Sequence, residues 1–467
     1  MLFERFEEPG LSHYSYAIGC PAAGKIAIVD PKRDIDTYLK FADQHNVTIS
    51  DVLETHIHAD YASGARELAL KMGAELWQSA YDQGQIYQAS FPHKDMHHED
   101  HLDIGAIRIQ ARHTPGHTPE HLSFLIYDGN RSTSTPMLML SGDFLFVGSV
   151  GRPDLLGEEA KIELAHKLHD SLTQLADLPD SLEVYPAHGS GSMCGAGIDG
   201  RTMSTLGYER IANPYLSQPL SIDEFVMQVL NSVPPFPEYY KRMKRLNADG
   251  PAILNGIPIL PAIAPITFRK MVDEGHVVID LRNQVSYDQG HIPNSFGIGQ
   301  GESLSTWASW VVPYQVPILL VADSDLPPLE AFRSLVRVGL DQVTGYLEGG
   351  ISSWAKADLK LIQTPQTTVT ELYARLQDKD PNILDVRSDA EWEEGHIEGA
   401  FHIMGGYLEK QLSSLPDGPD PIYLFCGSGY RSTVAGSILE RAGVKGHVNV
   451  VGGMKAWKEA GFPITKP

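Results

Sequence analysis

An internal repeat in the second half of the chain restricts the fold more than any other sequence feature. The segments VVIDLRNQVSYDQGHIPNSFGI (277–298) and NILDVRSDAEWEEGHIEGAFHI (382–403) align, and each carries an aspartate, an arginine and a histidine at matching positions. These residues are Asp280, Arg282 and His291 in the first copy and Asp385, Arg387 and His396 in the second. Each copy alternates buried strand runs with helices, which predicts two α/β domains built on parallel sheets.

The two copies differ at the end of their central strand, where the second has Cys426 and the first has Ala322. The stretch IYLFCGSGYRSTVAGSILERAG predicts a buried strand, a tight loop from Cys426 to Arg431 and an amphipathic helix that ends near Gly443. Backbone N–H groups at the start of a helix, with an arginine beside them, stabilise an anion. We therefore expect Cys426 to be a nucleophilic thiolate.

Cys426, Gly429 and Arg431 meet the pattern of a cysteine, two residues, a glycine, one residue and an arginine. Together with the segments DVR, GHIEGA and GGMKAW, they resemble the rhodanese family. The resemblance implies a doubly wound parallel sheet and a six-residue loop that fits sulfur, with Cys426, Arg431 and Gly429 as the catalytic residues. The first copy lacks the thiol and the glycine-rich loop, so it is expected to be inactive. Asp385 and Arg387, with His396, are expected to support the loop and the fold.

Candidate metal ligands occur in four segments of the first half: THIHADY, HTPGHTPEH, LSGDFLF and YPAHGSG. Each lies where an apolar strand run gives way to a polar loop, so their side chains can converge on one edge of a sheet. The four segments, in this order, resemble the metallo-β-lactamase superfamily. That resemblance implies an αββα sandwich with its metals at the sheet edges.

In the dinuclear zinc enzymes of that superfamily the first motif ends in a histidine, whereas this chain has Tyr61. A neutral phenol binds divalent metals poorly, so we expect the second site to be empty. The persulfide dioxygenase branch uses a single ferrous ion, and the resemblance assigns its ligands to His56, His117 and Asp143, with one Fe(II) per chain. The remaining candidates follow from the same resemblance: His58, Asp60, Tyr61 and His188 as residues that orient ligands or water, and Arg152, Tyr16 and Cys194 as substrate-binding residues. For Cys194, a purely structural thiol is an equal alternative.

The two motifs together predict a persulfide dioxygenase coupled to a rhodanese sulfurtransferase, as in bacterial sulfide-detoxifying fusions. Such an enzyme oxidises a low-molecular-weight persulfide with O2 to sulfite and forms thiosulfate. Two alternatives stay open: a zinc-dependent thioester or lactone hydrolase fused to a rhodanese, and a non-catalytic sulfur carrier or sensor. The thiol that carries the persulfide, the role of the inactive repeat and any channelling of sulfur between the sites are open at this point.

Composition excludes some partners. The chain has 37 basic and 59 acidic residues and a formal net charge of -22, which disfavours nucleic acid and anionic membranes. It contains no apolar run long enough to cross a bilayer, and its first residues lack the pattern of a signal peptide. Three widely spaced cysteines favour a reducing compartment, so we expect a cytoplasmic protein, either a monomer or a homo-oligomer. The histidine-rich stretch FPHKDMHHEDH is expected to be a solvated loop.

Prolines and glycines in LNADGPAILNGIPILPAIAP predict the connection between the two halves. The predicted boundaries are a dioxygenase domain at 1–245, a linker at 246–262, an inactive rhodanese-like domain at 263–362 and a catalytic rhodanese domain at 366–467.

Overall fold

The computed structural model describes residues 1–233, 236–323, 326–416 and 420–466. The chain forms two compact units, one of residues 1–258 with 336–339 and the other of residues 259–335 with 340–467. Among the described residues, no helix combines the length and the apolar character that crossing a membrane requires.

The described residues of the first unit form fourteen strands and six α-helices. Its strands are β1 (Leu2–Glu8), β2 (His13–Cys20), β3 (Lys25–Val29), β4 (Thr48–Leu53), β5 (Glu75–Ser79), β6 (Lys94–Met96), β7 (His101–Ile104), β8 (Ile107–His113), β9 (Leu122–Asp128), β10 (Leu138–Gly142), β11 (Leu145–Phe146), β12 (Ser149–Val150), β13 (Glu183–Pro186) and β14 (Ser204–Thr205). Its helices are α1 (Asp36–Gln44), α2 (Ala65–Met72), α3 (Lys161–Thr173), α4 (Leu206–Ala212), α5 (Ile222–Ser232) and α6 (Tyr239–Asp249).

Two six-stranded sheets form the centre of this unit, in the orders β1-β2-β3-β4-β5-β6 and β14-β13-β10-β9-β8-β7. Their facing sides meet in one apolar core, to which Ile18 and Val29 contribute from the first sheet and Ile109 and Phe124 from the second. Helices α1 and α2 pack on the outside of the first sheet, and α3 and α5 on the outside of the second. The predicted αββα sandwich is therefore confirmed.

A register shift ends strand β10 at the site edge of the second sheet. The pairing of β10 with β13 becomes irregular between Leu140 and Gly142, and Gly142 has a φ of +57°. A Cβ atom at position 142 would lie 2.5 Å from Nε2 of His121 and 2.9 Å from Cβ of Thr55. Glycine is therefore required here both for its backbone conformation and for the close approach of its neighbours. Asp143 follows directly and leaves the strand at the sheet edge.

The second unit contains ten strands and nine α-helices among its described residues. Its strands are β15 (Ala262–Ile263), β16 (Val277–Asp280), β17 (Phe296–Gly297), β18 (Ile318–Val321), β19 (Val343–Leu347), β20 (Gln366–Thr368), β21 (Asn382–Asp385), β22 (Phe401–His402), β23 (Ile422–Phe425) and β24 (His447–Val451). Its helices are α7 (Pro265–Asp273), α8 (Gln284–Gln289), α9 (Leu304–Val311), α10 (Leu329–Val336), α11 (Gly350–Lys356), α12 (Val369–Asp378), α13 (Asp389–Glu394), α14 (Tyr430–Arg441) and α15 (Gly453–Glu459).

These elements form two parallel five-stranded sheets with the same strand order, β15-β19-β18-β16-β17 and β20-β24-β23-β21-β22. Each copy buries one tryptophan completely, Trp354 in the first and Trp457 in the second. The repeat inferred from the sequence is thus a repeat of fold. The loop of the first copy that corresponds to the thiol loop is predicted to lack the glycine-rich pattern. Residues 324 and 325 of this loop lie outside the described residues.

The aspartate and arginine of each repeat form the same buried pair. Arg282 contacts Asp280 at 2.6 Å and donates to the carbonyl of Gly290, and Arg387 contacts Asp385 at 2.6 Å and donates to the carbonyl of Gly395. Both copies make these contacts, although only one has the thiol. The pair therefore supports the fold, as expected.

We predict that Gly142→Ala lowers the thermal unfolding temperature of the chain more than Gly24→Ala does. Gly24 also has a positive φ (+63°), but a Cβ atom there would meet nothing within 4 Å. The control substitution should cost only the backbone penalty of about 1 kcal/mol, whereas Gly142→Ala adds overlap with His121 and Thr55. Differential scanning calorimetry of both variants measures this, and equal shifts would contradict the packing argument.

Candidate metal centre and thiol loop

Three predicted ligands meet at the carboxyl-terminal edge of the two sheets. His56 follows β4, His117 lies in the loop between β8 and β9, and Asp143 follows β10. Nε2 of His56 lies 3.7 Å from Oδ2 of Asp143, and Nε2 of His117 lies 3.5 Å from the same oxygen. All three side chains are buried, and none of these three atoms has a hydrogen-bond partner among the described residues. Buried polar atoms rarely stay without a partner, so the cluster fits a metal ion.

Hydrogen bonds on the far side of each ring fix which histidine nitrogen faces the cluster. The hydroxyl of Thr55 donates to Asp30, so it accepts from Nδ1–H of His56 (2.9 Å). The carbonyl oxygen of Arg152 can only accept, so Nδ1–H of His117 donates to it (2.9 Å). Both rings therefore present the lone pair of Nε2 to the cluster, as metal ligands must. Burial also lowers the pKa of His56 and of His117 well below the usual value, which keeps both rings neutral.

His188 lies between two carboxylates beside the three ligands. Its Nδ1 contacts Oδ1 of Asp143 at 2.6 Å, and its Nε2 contacts Oδ2 of Asp60 at 2.7 Å. Burial alone would lower the pKa of His188, but Asp143 and Asp60 outweigh it and raise the pKa well above the usual value. Asp60 and His188 also lie close to Cys194, whose pKa burial raises well above its usual value. Both nitrogens of His188 are already used, so this second group is less suited to a metal than the first.

Tyr61 and His58 are held by Asp30 rather than by the ligand cluster. The hydroxyl of Tyr61 donates to the backbone carbonyl of Asp30 (3.1 Å), and Nε2 of His58 contacts Oδ1 of the Asp30 side chain (3.1 Å). Burial raises the pKa of Tyr61 well above its usual value, so the phenol stays protonated. The residue at the last position of the first motif thus has a structural partner of its own.

Two of the predicted substrate-binding residues have other partners. The guanidinium of Arg152 makes two hydrogen bonds to Asp154, at 2.6 and 2.7 Å, and a third to the carbonyl of Met193. Its backbone carbonyl, by contrast, orients His117. Tyr16 packs in the apolar core and donates its hydroxyl to the carbonyl of Pro186 (2.5 Å), and none of its described contacts is with the three ligands. The substrate-binding role predicted for both side chains stays a prediction.

Sequence reasoning missed several residues of this site. Asp30 ends strand β3 at the same edge, and its position after an apolar strand run was a usable signal. His121, the last residue of HTPGHTPEH, accepts a hydrogen bond at Nε2 from the backbone N–H of Asp143 (3.0 Å). His13 is completely buried, packs 4.1 Å from the ring of Tyr61 and has no hydrogen-bond partner among the described residues. Lys244 of α6 donates to the carbonyl of Ile57 (2.8 Å). His13 and Lys244 belong to no motif.

The thiol of Cys426 is buried where strand β23 meets helix α14. Its Sγ atom accepts a hydrogen bond from the backbone N–H of Gly429 (3.0 Å) and lies 3.6 Å from Oγ of Ser432. Gly429 has a φ of +112°, which folds the loop back over the sulfur. The predicted strand and helix are present, and Gly443 follows the helix with a φ of +77°. The helix begins at Tyr430, so the loop is shorter than predicted and Arg431 lies in the first turn of α14.

Arg431, near the thiol, forms an ion pair with a carboxylate. Its guanidinium makes two hydrogen bonds to the carboxylate of Glu391, at 2.5 and 2.7 Å. Burial alone would raise the pKa of Glu391, but the charge and hydrogen bonds of Arg431 outweigh it and lower that pKa to about 2. Glu391 is also the third residue of helix α13, where it forms a capping box with Ser388. The loop arginine is therefore positioned by a carboxylate of a different segment.

Two family models match the chain. The metallo-beta-lactamase superfamily matches residues 9–188, and the rhodanese-like domain matches residues 265–357 and 368–460. A crystallised metallo-beta-lactamase from Staphylococcus aureus subsp. aureus COL shares 33% identity, with 98% of that chain and 74% of this one aligned at a TM-score of 0.67. The chain belongs to the metallo-β-lactamase superfamily and carries two rhodanese-like domains. This arrangement was expected from the motifs.

Curated relatives of the chain include enzymes of two kinds. The mitochondrial persulfide dioxygenase ETHE1 of Homo sapiens is 28% identical over 244 residues, which cover 51% of this chain and 84% of that protein. A hydroxyacylglutathione hydrolase of Maricaulis maris (strain MCS10) is 32% identical over 177 residues, which cover 38% of this chain and 62% of that protein. The match therefore spans less than two thirds of the hydrolase.

We predict that His117→Ala abolishes metal binding at this site. The substitution removes one of three ligand atoms that face each other, and two ligands seldom retain an ion. Elemental analysis by mass spectrometry, after anaerobic loading with Fe(II) and desalting, measures the metal per chain. His97→Ala is the matched control, because His97 is exposed in the turn between β6 and β7 and contacts Asp100. The histidine-rich stretch that we expected to be a loop contains β6 and the first residue of β7. Equal metal content in both variants would show that the assigned ligands are wrong.

We predict that Glu391→Gln destabilises the chain at neutral pH and less so in acid. The folded-state pKa of Glu391, about 2, lies below its ordinary value of 4.5. The stabilisation from the ion pair is therefore complete above pH 4.5 and declines as the pH falls from there towards 2. Glutamine preserves the capping box, so it removes mainly the charge. Unfolding temperatures at pH 7 and pH 3.5 measure the effect, with Glu394→Gln of the same helix as control. If the unfolding temperatures of Glu391→Gln and wild type differ as much at pH 3.5 as at pH 7, the ion pair does not provide the stabilisation.

Proposed function

We propose that the chain is a non-haem iron persulfide dioxygenase coupled to a rhodanese sulfurtransferase. In the first reaction, a low-molecular-weight persulfide, O2 and water give the free thiol and sulfite. In the second, sulfite takes the outer sulfur of another persulfide through Cys426 and leaves as thiosulfate. The observation that carries the proposal is the set of three unpartnered, buried ligand atoms on His56, His117 and Asp143.

The donor set favours one iron over two zinc ions. Two neutral imidazoles and one carboxylate are the ligands of non-haem Fe(II) oxygenases, and iron supplies the redox change for oxygen chemistry that zinc lacks. The other candidate ligands favour a single metal ion, because they already have hydrogen-bond partners. Tyr61 and His58 contact Asp30, and His188 contacts two carboxylates.

The residues around the ligands hold them in place and keep water out. His56 is 2% exposed, and both His117 and Asp143 are completely buried. Each ligand is bonded on its far side, His56 to Thr55, His117 to the Arg152 carbonyl and Asp143 to His188. Ligand side chains fixed in this way need little reorganisation when a charged substrate arrives.

At the thiol loop, the Cys426 thiolate attacks the outer sulfur of a persulfide. A bond forms between the two sulfur atoms as the S–S bond of the donor breaks, and the donor leaves as its thiolate. Sulfite then attacks the outer sulfur of the Cys426 persulfide, thiosulfate leaves, and the Cys426 thiolate is regenerated. The Gly429 N–H, which lies 3.0 Å from Sγ, stabilises negative charge there in both steps.

Oxygen uptake tests the first reaction. We expect the iron-loaded chain to consume O2 when glutathione persulfide is added, because iron held by His56, His117 and Asp143 would supply the redox chemistry that oxidation of the persulfide needs. An oxygen electrode measures the rate, and His117→Ala should abolish it while His97→Ala leaves it unchanged. The name of the hydroxyacylglutathione hydrolase relative favours the other candidate function, a hydrolase, which the sequence analysis describes as zinc-dependent. Thioester hydrolysis by the zinc-loaded chain, together with no O2 uptake by the iron-loaded chain, would overturn the dioxygenase proposal in favour of that alternative.

Substitution of the thiol tests the coupling of the two reactions. We expect Cys426→Ser to retain O2 uptake and to release sulfite where the wild type releases thiosulfate, since serine cannot carry sulfane sulfur. Chromatography of both anions measures the ratio, with correction for the spontaneous reaction of sulfite with persulfide. Cys20→Ser is the matched control, because Cys20 is a buried thiol outside both sites. Equal thiosulfate from wild type and Cys426→Ser would refute the coupling.

A further inference from the structure

The first rhodanese-like copy forms one wall of a cavity beside the thiol loop of the second. The cavity has a volume of about 280 Å³. Asn283, Gln284 and Gln300 line it from the first copy, and Ser428 and Tyr430 line it from the second. Ser428 and Tyr430 flank Gly429 in the thiol loop. Residues of the first copy therefore lie next to the loop that holds Cys426, although the first copy has no thiol at the matching position.

Hydrogen bonds between the copies hold this wall in place. The hydroxyl of Tyr430 donates to the carbonyl of Gly299 (2.9 Å), which ties the thiol loop to the first copy. Glu440 of helix α14 accepts from His291 at 2.8 Å and from the backbone N–H of Asn294 at 2.6 Å. These contacts place the first copy at a fixed distance from the loop.

Gln284, the first residue of α8, lies directly against the loop. Its amide group is so close to Gly429 that a Cβ atom at position 429 would overlap all three amide atoms. The backbone N–H of Gly429 is the group that donates to Sγ of Cys426. The amide of Gln284 therefore lies at the rim of the loop that holds the sulfur.

The amide nitrogen of Gln284 is an unused donor. Nε2 is inaccessible to solvent and has no hydrogen-bond partner among the described residues. A buried donor without an acceptor is costly unless a ligand supplies one. The nearby arginines are already paired, Arg282 with Asp280 and Arg431 with Glu391. An oxyanion in the cavity would thus find a neutral N–H donor in Gln284.

We propose that Gln284 is a positioning residue of the Cys426 site, whose amide N–H donates to an oxygen atom of sulfite as it accepts sulfur. The proposal rests on the sulfurtransferase function proposed above. Sulfite oxygens are acceptors only, so they match the unused donor. The sulfur lone pair of sulfite forms the new S–S bond, and the electron pair of the broken bond returns to Cys426. Gln284 transfers no proton and orients the anion in this step. The inactive copy therefore contributes a specificity residue to the active one.

A comparison of two sulfur acceptors tests this role. Sulfite carries oxygen atoms that Gln284 can bind, whereas cyanide carries none. Loss of the proposed hydrogen bond should therefore weaken only the reaction with sulfite. A structural defect in the thiol loop would weaken the reactions with both acceptors. Gln284→Met preserves the size of the side chain and removes the donor. We expect it to raise the KM for sulfite about tenfold, the effect of one hydrogen bond to a charged group. The kcat with sulfite and the KM for cyanide should stay unchanged.

Gln284→Glu should raise the KM for sulfite further, because it places a carboxylate opposite an anion. Gln289→Met is the matched control, since Gln289 is exposed at the other end of the same helix. The full chain is assayed with glutathione persulfide as donor, and the cyanide reaction of each sample reports that its thiol loop is intact. Equal sulfite KM values in wild type and Gln284→Met, or a parallel loss with both acceptors, would overturn the proposal. Wild type that transfers sulfur to neither acceptor would overturn the sulfurtransferase function itself, and this proposal with it.

Discussion

The first unit depends on one constraint, which is that three polar atoms face one another in its interior. None of the three has a hydrogen-bond partner among the described residues. Nε2 of His56, Nε2 of His117 and Oδ2 of Asp143 are each held from behind by a hydrogen bond to a neighbouring residue. Each of those bonds leaves one lone pair directed at the cluster. A bound cation would offset the free energy cost of burying these atoms, so metal binding at this candidate site would stabilise the fold.

Much of this arrangement could be predicted because it is local in the sequence. Ligands that follow apolar strand runs must gather at one sheet edge, and the repeat specifies two α/β domains of one kind. The strand, loop and helix around Cys426 follow from apolar periodicity and glycine placement. In each case the signal lies within a few residues of the feature that it predicts.

The partners of charged side chains could not be predicted in the same way. Arg152 pairs with Asp154 and Arg431 pairs with Glu391, and neither ion pair was predicted from the sequence. The direction of a long side chain depends on which carboxylate the fold brings near, and strands β22 and β23 lie between Glu391 and Arg431 in the chain. Similarly, the buried ring of His13 lies beside Tyr61 because β2 passes there, and nothing in its local sequence indicates this.

The two rhodanese-like copies share their strand order, their buried tryptophan and their aspartate–arginine pair, and they differ in the thiol. A motif search based on the aspartate–arginine segment alone would therefore find two matches, although only the second copy has the thiol of Cys426. The copy without the thiol therefore separates two kinds of feature. Properties that both copies share describe the scaffold, whereas the loop around Cys426, which only the second copy has, marks the candidate reaction centre.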